Sequence, residues 1–183
     1  MSTGAQPGES EALTALRMQL PGTNINPDTL LATDYLNHFN EIIMMVELVP
    51  DMPEMLADAK SWKPMSYTEH FEHSQFSERE LAIEAYAHLP DARRKSFEAA
   101  IGEAHACVEA TIAQLGESIA SDASDNIKPL CAAFARDMHR IVDRISVVIH
   151  GGDPSLNQIG IEGEAPAGGQ PTLDQSAIDD LFK

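Results

Sequence analysis

Two histidine–carboxylate pairs and one closing peptide are the residues best placed for chemistry in this sequence. His105 and Glu109, and likewise His139 and Asp143, are spaced i, i+4. On a helix that spacing sets both side chains on one face, as in metal-binding bundles. If the chain reverses near residues 122–123, His105 and His139 lie at one level of a hairpin. A two-metal bundle site draws on four helices, however, and His38, Glu41, His70 and His73 do not complete a clean set. The closing residues 172–183 (TLDQSAIDDLFK) have a different character. Ile178, Leu181 and Phe182 fall at i, i+3 and i+4, so one helical turn gathers them on one side. Asp174, Asp179 and Asp180 cover much of the rest. One or two helical turns do not hold themselves together in water. Such a peptide folds by laying its apolar face into a partner's groove.

The 183 residues suffice for one domain with a core plus tails, and 43 % are apolar. The formal charge of −17 argues against nucleic acid and anionic membrane surfaces, which need Lys and Arg. It favours partners with basic patches. Cys107 and Cys131 lie inside apolar helical patterns and read as free buried thiols, which suits a reducing compartment. No apolar run reaches the length of a membrane span, and the first ten residues lack the features of a signal peptide. The expectation is a cytoplasmic protein with no membrane insertion and no nucleic-acid partner.

Residues 1–25 are rich in Gly, Pro, Ser and Thr around Leu13, Leu16 and Leu20, and read as a disordered arm. A helix is expected over 27–48, opened by Pro27 and marked by Leu31, Tyr35, Phe39, Ile42 and Val46. Short helices follow near 53–60 and 66–74, with Trp62 as a packing anchor between them. Ser77 and Glu80 form a capping-box pattern for a helix reaching His88. Met44, Met45, Met52 and Met55 read as core or dimer-seam residues, with a soft binding groove as the other reading. Then come two long helices. Phe97, Ile101, Ala104, Val108, Thr111 and Leu115 mark the first; Ile127, Cys131, Phe134, Met138, Ile141, Ile145 and Val148 mark the second. Both stripes alternate steps of three and four, the pattern of long helices packed at a shallow angle. The short connection makes them an antiparallel hairpin. Residues 151–171 hold six Gly and three Pro and read as a flexible linker.

Two stretches resemble one family. Leu89-Pro90-Asp91-Ala92-Arg93, running into a helix with Phe97, Ala104 and Ala106, resembles the opening of the long helix in CheZ, the bacterial chemotaxis phosphatases. Asp174-Gln175-Ser176-Ala177-Ile178-Asp179-Asp180-Leu181 is similar to the closing CheZ peptide and to the peptide of the flagellar switch protein FliM. In both families that peptide binds the response regulator CheY. The resemblance implies a CheY-like partner held by Asp174, Gln175, Ile178, Asp179, Asp180, Leu181 and Phe182. It also implies a homodimer through the hairpin, and hydrolysis of the receiver's aspartyl phosphate. The Mg²⁺ for that reaction belongs to the receiver, so the chain needs no cofactor of its own. In the family a glutamine four residues after an aspartate orients the attacking water. Asp143 matches the aspartate, but Val147 stands at the glutamine position, and no D-x-x-x-Q occurs in the chain.

The expected fold is all-α: a helical bundle over 26–150 dominated by the hairpin at 91–150, with the arm, the linker and a short peptide helix at 172–183. The hairpin stripe has to be covered, either by the helices of 27–88 or by a second copy. The leading function is a chemotaxis regulator that binds a CheY-like receiver, with Asp143 as the candidate catalytic residue for dephosphorylation. A non-enzymatic adaptor that sequesters or localises the receiver is the alternative. A metal or phosphotransfer bundle using His105 and His139 is the third; His139-Arg140-Ile141 resembles the phosphoacceptor segment of some histidine kinases.

Overall fold

The computed structural model describes residues 11–121 and 123–152. Among them seven α-helices form and no β-strand. They are α1 (Glu11–Arg17), α2 (Leu36–Leu48), α3 (Met55–Ser61), α4 (Tyr67–His73), α5 (Arg79–Ala87), α6 (Asp91–Ala120) and α7 (Ile127–Ile149). The all-α expectation holds. No helix among the described residues is long and apolar enough to cross a membrane.

The long helices follow their sequence stripes. Every residue of the α6 stripe is buried, as are Cys131, Phe134, Met138, Ile141, Ile145 and Val148 of α7. Pro90 stands immediately before α6, and Pro129 falls within the first turn of α7, where it disrupts no hydrogen bond of the helix interior. An ion pair between Arg144 and Glu103 ties the two helices together on their flank. α7 ends in a Schellman motif: Gly151 N–H donates to the Val148 carbonyl at 3.1 Å, and Gly152 N–H to the Val147 carbonyl at 2.9 Å. Gly151 has φ +84°, which a residue with a Cβ adopts only with strain.

The hairpin stripe is covered from within the chain. α2 packs on α7 and α3 packs on α6. Phe39, Ile42, Ile43 and Val46 of α2 are buried in the same cluster as the stripe. No second copy is needed for that burial.

Three expectations are corrected. Residues 11–25 are not an arm: Leu16, Leu20 and Ile25 are buried in the core. Leu16 sits on α1 and the other two follow it in the connection, and burying each such side chain is worth about 1.5–3 kcal/mol. The helix expected from Pro27 begins later, in a 3₁₀ turn at Thr33–Tyr35 that leads into α2. Asn26 does cap a turn: its side-chain oxygen accepts from the N–H groups of Asp28 (2.8 Å) and Thr29 (3.1 Å), and Leu30 N–H reaches the Asn26 carbonyl at 2.7 Å, but the helix goes no further. The turn closes with Leu30 at φ 61° and a bridge between Ile25 and Ala32. Finally, the capping box belongs to α4. Ser66 N–H donates to Glu69 at 2.8 Å and Glu69 N–H to the Ser66 hydroxyl at 3.3 Å. The Ser77 hydroxyl instead engages the adjacent Glu78 carboxylate, and α5 starts at Arg79 with no side-chain cap.

Thr29 ties the segment before α2 to the end of α7. It is buried, and its hydroxyl donates to the Ile149 carbonyl at the end of α7. Thr29→Val should therefore lower unfolding stability by about 1–3 kcal/mol, the cost of leaving that carbonyl without its partner. Denaturant titration reads this as a lower midpoint with an unchanged slope. An unchanged midpoint would show that the contact contributes nothing.

Candidate functional site

The hairpin carries the residues matched to the phosphatase pattern. Asp143 is exposed on α7 and has no hydrogen bond or ion pair among the described residues. Its neighbour Arg144 is engaged with Glu103. One turn on, Val147 is half-buried in the helix stop. Its carbonyl caps Gly152, and a Cβ built on Gly152 would lie 2.7 Å from Val147 Cγ1. The Val147 side chain thus stands beside the helix stop, and as a hydrocarbon it offers no group to orient water. Gln114 is exposed and lines a cleft with Asn126, Pro129 and Leu130 near the hairpin turn. Leu130 precedes Asp143 by thirteen residues on α7, roughly 20 Å along the axis. As geometry, the Asp143 turn is an open carboxylate beside a hydrophobic helix end.

His105 and His139 do not share a site. His139 is exposed and has no ring contact among the described residues, whereas His105 packs toward α2 and the α3–α4 connection. There it meets His38 (ring centroids 6.2 Å), Phe39 (5.6 Å) and Trp62 (6.0 Å). His70 of α4 lies 5.8 Å from His38, and Tyr35 lies 5.4 Å from His70. Three histidines from α2, α4 and α6 thus converge on one aromatic cluster. By spacing alone His38 and His70 make no clean ligand set. The signal was present in another form: each follows a core aromatic, Tyr35 or Tyr67, by three residues, so each falls on a buried face.

Within the cluster His38 is the most constrained. Trp62 stacks on it at 4.4 Å with a 21° tilt, and the indole N–H donates to the His38 carbonyl at 3.3 Å. His38 Nε2 accepts from the Met65 N–H at 3.3 Å, so the neutral ring carries its proton on Nδ1. Burial first, then the neighbouring His70 and His105, push its pKa down to about 4. Burial also lowers His70, against the opposing pull of Asp34 and Glu41, and lowers His105, against Glu109. His38 Nδ1 and His105 Nε2 are buried without hydrogen-bond partners. Among the described residues no three His, Cys, Asp or Glu side chains are placed to hold a metal ion. The arrangement braces an indole with neutral imidazoles. Cys107 and Cys131 are free thiols, both shifted upward by burial, which favours the unreactive protonated form.

The partner-binding residues inferred from sequence, Asp174, Gln175, Ile178, Asp179, Asp180, Leu181 and Phe182, lie outside the described residues. No protein-family model matches the chain, and no curated protein or solved structure does either.

The histidine cluster makes a signed prediction. An unfolded histidine titrates near 6.5, whereas folded His38 resists protonation until about 4. Between those values the unfolded state binds the extra proton, so stability falls as pH drops through that window and levels off below it. The full His38 effect is roughly 3 kcal/mol. Replacing His38→Gln keeps an acceptor for Met65 N–H and should flatten this part of the profile. Chemical denaturation at pH 7, 6, 5 and 4 measures it; equal slopes in both proteins would contradict the assignment.

Proposed function

We propose that this chain is a receiver-binding regulator of the chemotaxis type, which captures a CheY-like response regulator through residues 172–183. The observation that carries this reading is the closing peptide itself. Ile178, Leu181 and Phe182 fall on one face of a helical turn by their spacing, Asp174, Asp179 and Asp180 accompany them, and 19 residues rich in Gly and Pro separate the peptide from Gly152. Tethering of this kind raises the effective concentration of a captured partner around the helical body.

Of the two modes open to such a regulator, the body favours the adaptor. In-line phosphoryl transfer asks a protein chiefly to position the nucleophile and stabilise charge. The Asp143 turn provides a carboxylate with nothing to orient it, and its companion Val147 is committed to the helix stop. Sequestration or localisation of the receiver needs neither residue. The Mg²⁺ of the phosphorylated partner stays in the receiver's own site in either mode.

Calorimetric titration against a CheY-like receiver tests the reading. Ile178→Ala with Phe182→Ala should weaken binding by about tenfold or more, as truncation of apolar anchors does. Undiminished affinity would remove the peptide from the interface. A decay assay on the phosphorylated receiver separates the modes. The adaptor reading predicts the receiver's intrinsic rate with or without the chain. Accelerated decay that Asp143→Asn abolishes would restore the phosphatase.

A further inference from the structure

The described surface has one cleft where an aromatic floor is flanked by lysines. It lies between the end of α3 and the middle of α6, has a volume of about 380 Å³, and is lined by Lys60, Trp62, Lys63, Val108, Ile112 and Gly116, among others. Gly116 keeps it open: the Lys60 ammonium lies only 3.3 Å from where a Cβ would be. Lys60 and Lys63 are exposed and make no ion pair among the described residues. In a chain with 29 acidic and 12 basic residues, two unpaired lysines beside an indole are an uncommon local surplus. Glu109 is the one carboxylate in the lining.

We propose that this cleft is a docking groove for the chain's own residues 172–183, which it holds against α6 in competition with the receiver. The proposal rests on the reading of those residues as a binding peptide and adds its regulation. Three observations select this occupant. Lys60 and Lys63 complement Asp179 and Asp180, while Trp62, Val108 and Ile112 offer an apolar floor for Ile178, Leu181 and Phe182. The span also fits. Ser96 lines a surface cleft together with Gly151 and Gly152, so the described chain ends beside the first turns of α6. Ile112 is sixteen residues further on, roughly 24 Å along the helix axis. A Gly-rich connection of about 20 residues has an r.m.s. reach of roughly 25 Å. A tether is most effective when its reach matches the span. Third, the exposed apolar edge formed by Met44, Leu48 and Met52 is a poorer alternative, because Glu47 and Asp51 stand beside it and repel an acidic peptide.

Docking makes the receiver compete with an internal ligand. If the peptide is docked two-thirds of the time, releasing it raises receiver affinity about threefold, since only the undocked fraction is competent.

The single tryptophan, Trp62, is the reporter. Acrylamide quenching of the full chain is compared with Lys60→Glu/Lys63→Glu, with Asp179→Lys/Asp180→Lys, and with all four substitutions together. Both pairs are expected to make Trp62 more accessible, and the combination should restore protection by exchanging the charges. Unchanged quenching in either pair, or no restoration in the combination, overturns the proposal. Receiver titration of the same proteins keeps the two readings apart. The unsubstituted chain and Lys60→Glu/Lys63→Glu keep the closing peptide intact, so restored protection in the combination with no receiver binding by these two leaves the docking standing and removes the receiver. Receiver binding with unaltered quenching does the reverse.

Discussion

The apolar stripe along the α6–α7 hairpin has to be covered, and the rest of the fold is arranged around that requirement. Two helices hide only the faces they turn to each other. Phe134, Met138, Ile141 and Ile145 are nonetheless buried, because α2 lies along α7 and contributes Phe39, Ile42, Ile43 and Val46. The covering helix must then be pinned where it begins. The Asn26 turn and Thr29, ahead of it in the chain, attach that end to the last carbonyl of α7. Near its start Tyr35 packs against Phe39, Tyr67 and Phe97, its hydroxyl donating to the Met65 carbonyl at 2.7 Å, and the Tyr67 hydroxyl accepts from Ala32 N–H at 2.8 Å. The short helices are therefore fixed by aromatic packing with satisfied polar tips.

That solution has a cost in titratable groups. Bringing α2, α4 and α6 together around Tyr35 buries imidazoles that water would otherwise solvate. They remain neutral, and Trp62 is set against them by stacking and by its bond to the His38 carbonyl. The indole thus stands at the boundary between a rigid core and an open lysine-flanked cleft. The same cover buries the hairpin stripe within one chain.

The hairpin was legible because its signal is periodic and local: unbroken three-four alternation over two long segments leaves little choice of face. The end of the Asn26 turn was not legible, because Asn26 and Pro27 do start a helical turn, and it stops after one turn at Leu30, whose φ is 61°, beside the Ile25–Ala32 bridge. Residues 11–25 misled by composition. Taken together with 1–10 they share a Gly, Pro, Ser and Thr content that looks like that of an arm, while three of their apolar side chains find a core formed by residues far along the chain. The histidine cluster was hidden for the same reason, since convergence of α2, α4 and α6 is a tertiary fact. On the hairpin the sequence did expose Val147 at a position where the phosphatase pattern has glutamine. The structure adds that this side chain is half-buried beside Gly152 at the helix stop.

Function on this account is divided between a body that presents surfaces and a peptide that captures. The most direct test is amide NMR of the full chain titrated with a phosphorylated CheY-like receiver. The account predicts that the largest shifts fall on residues 172–183, with the amides around Asp143 unmoved. Shifts centred on α7 near Asp143, with the closing peptide unaffected, would contradict it.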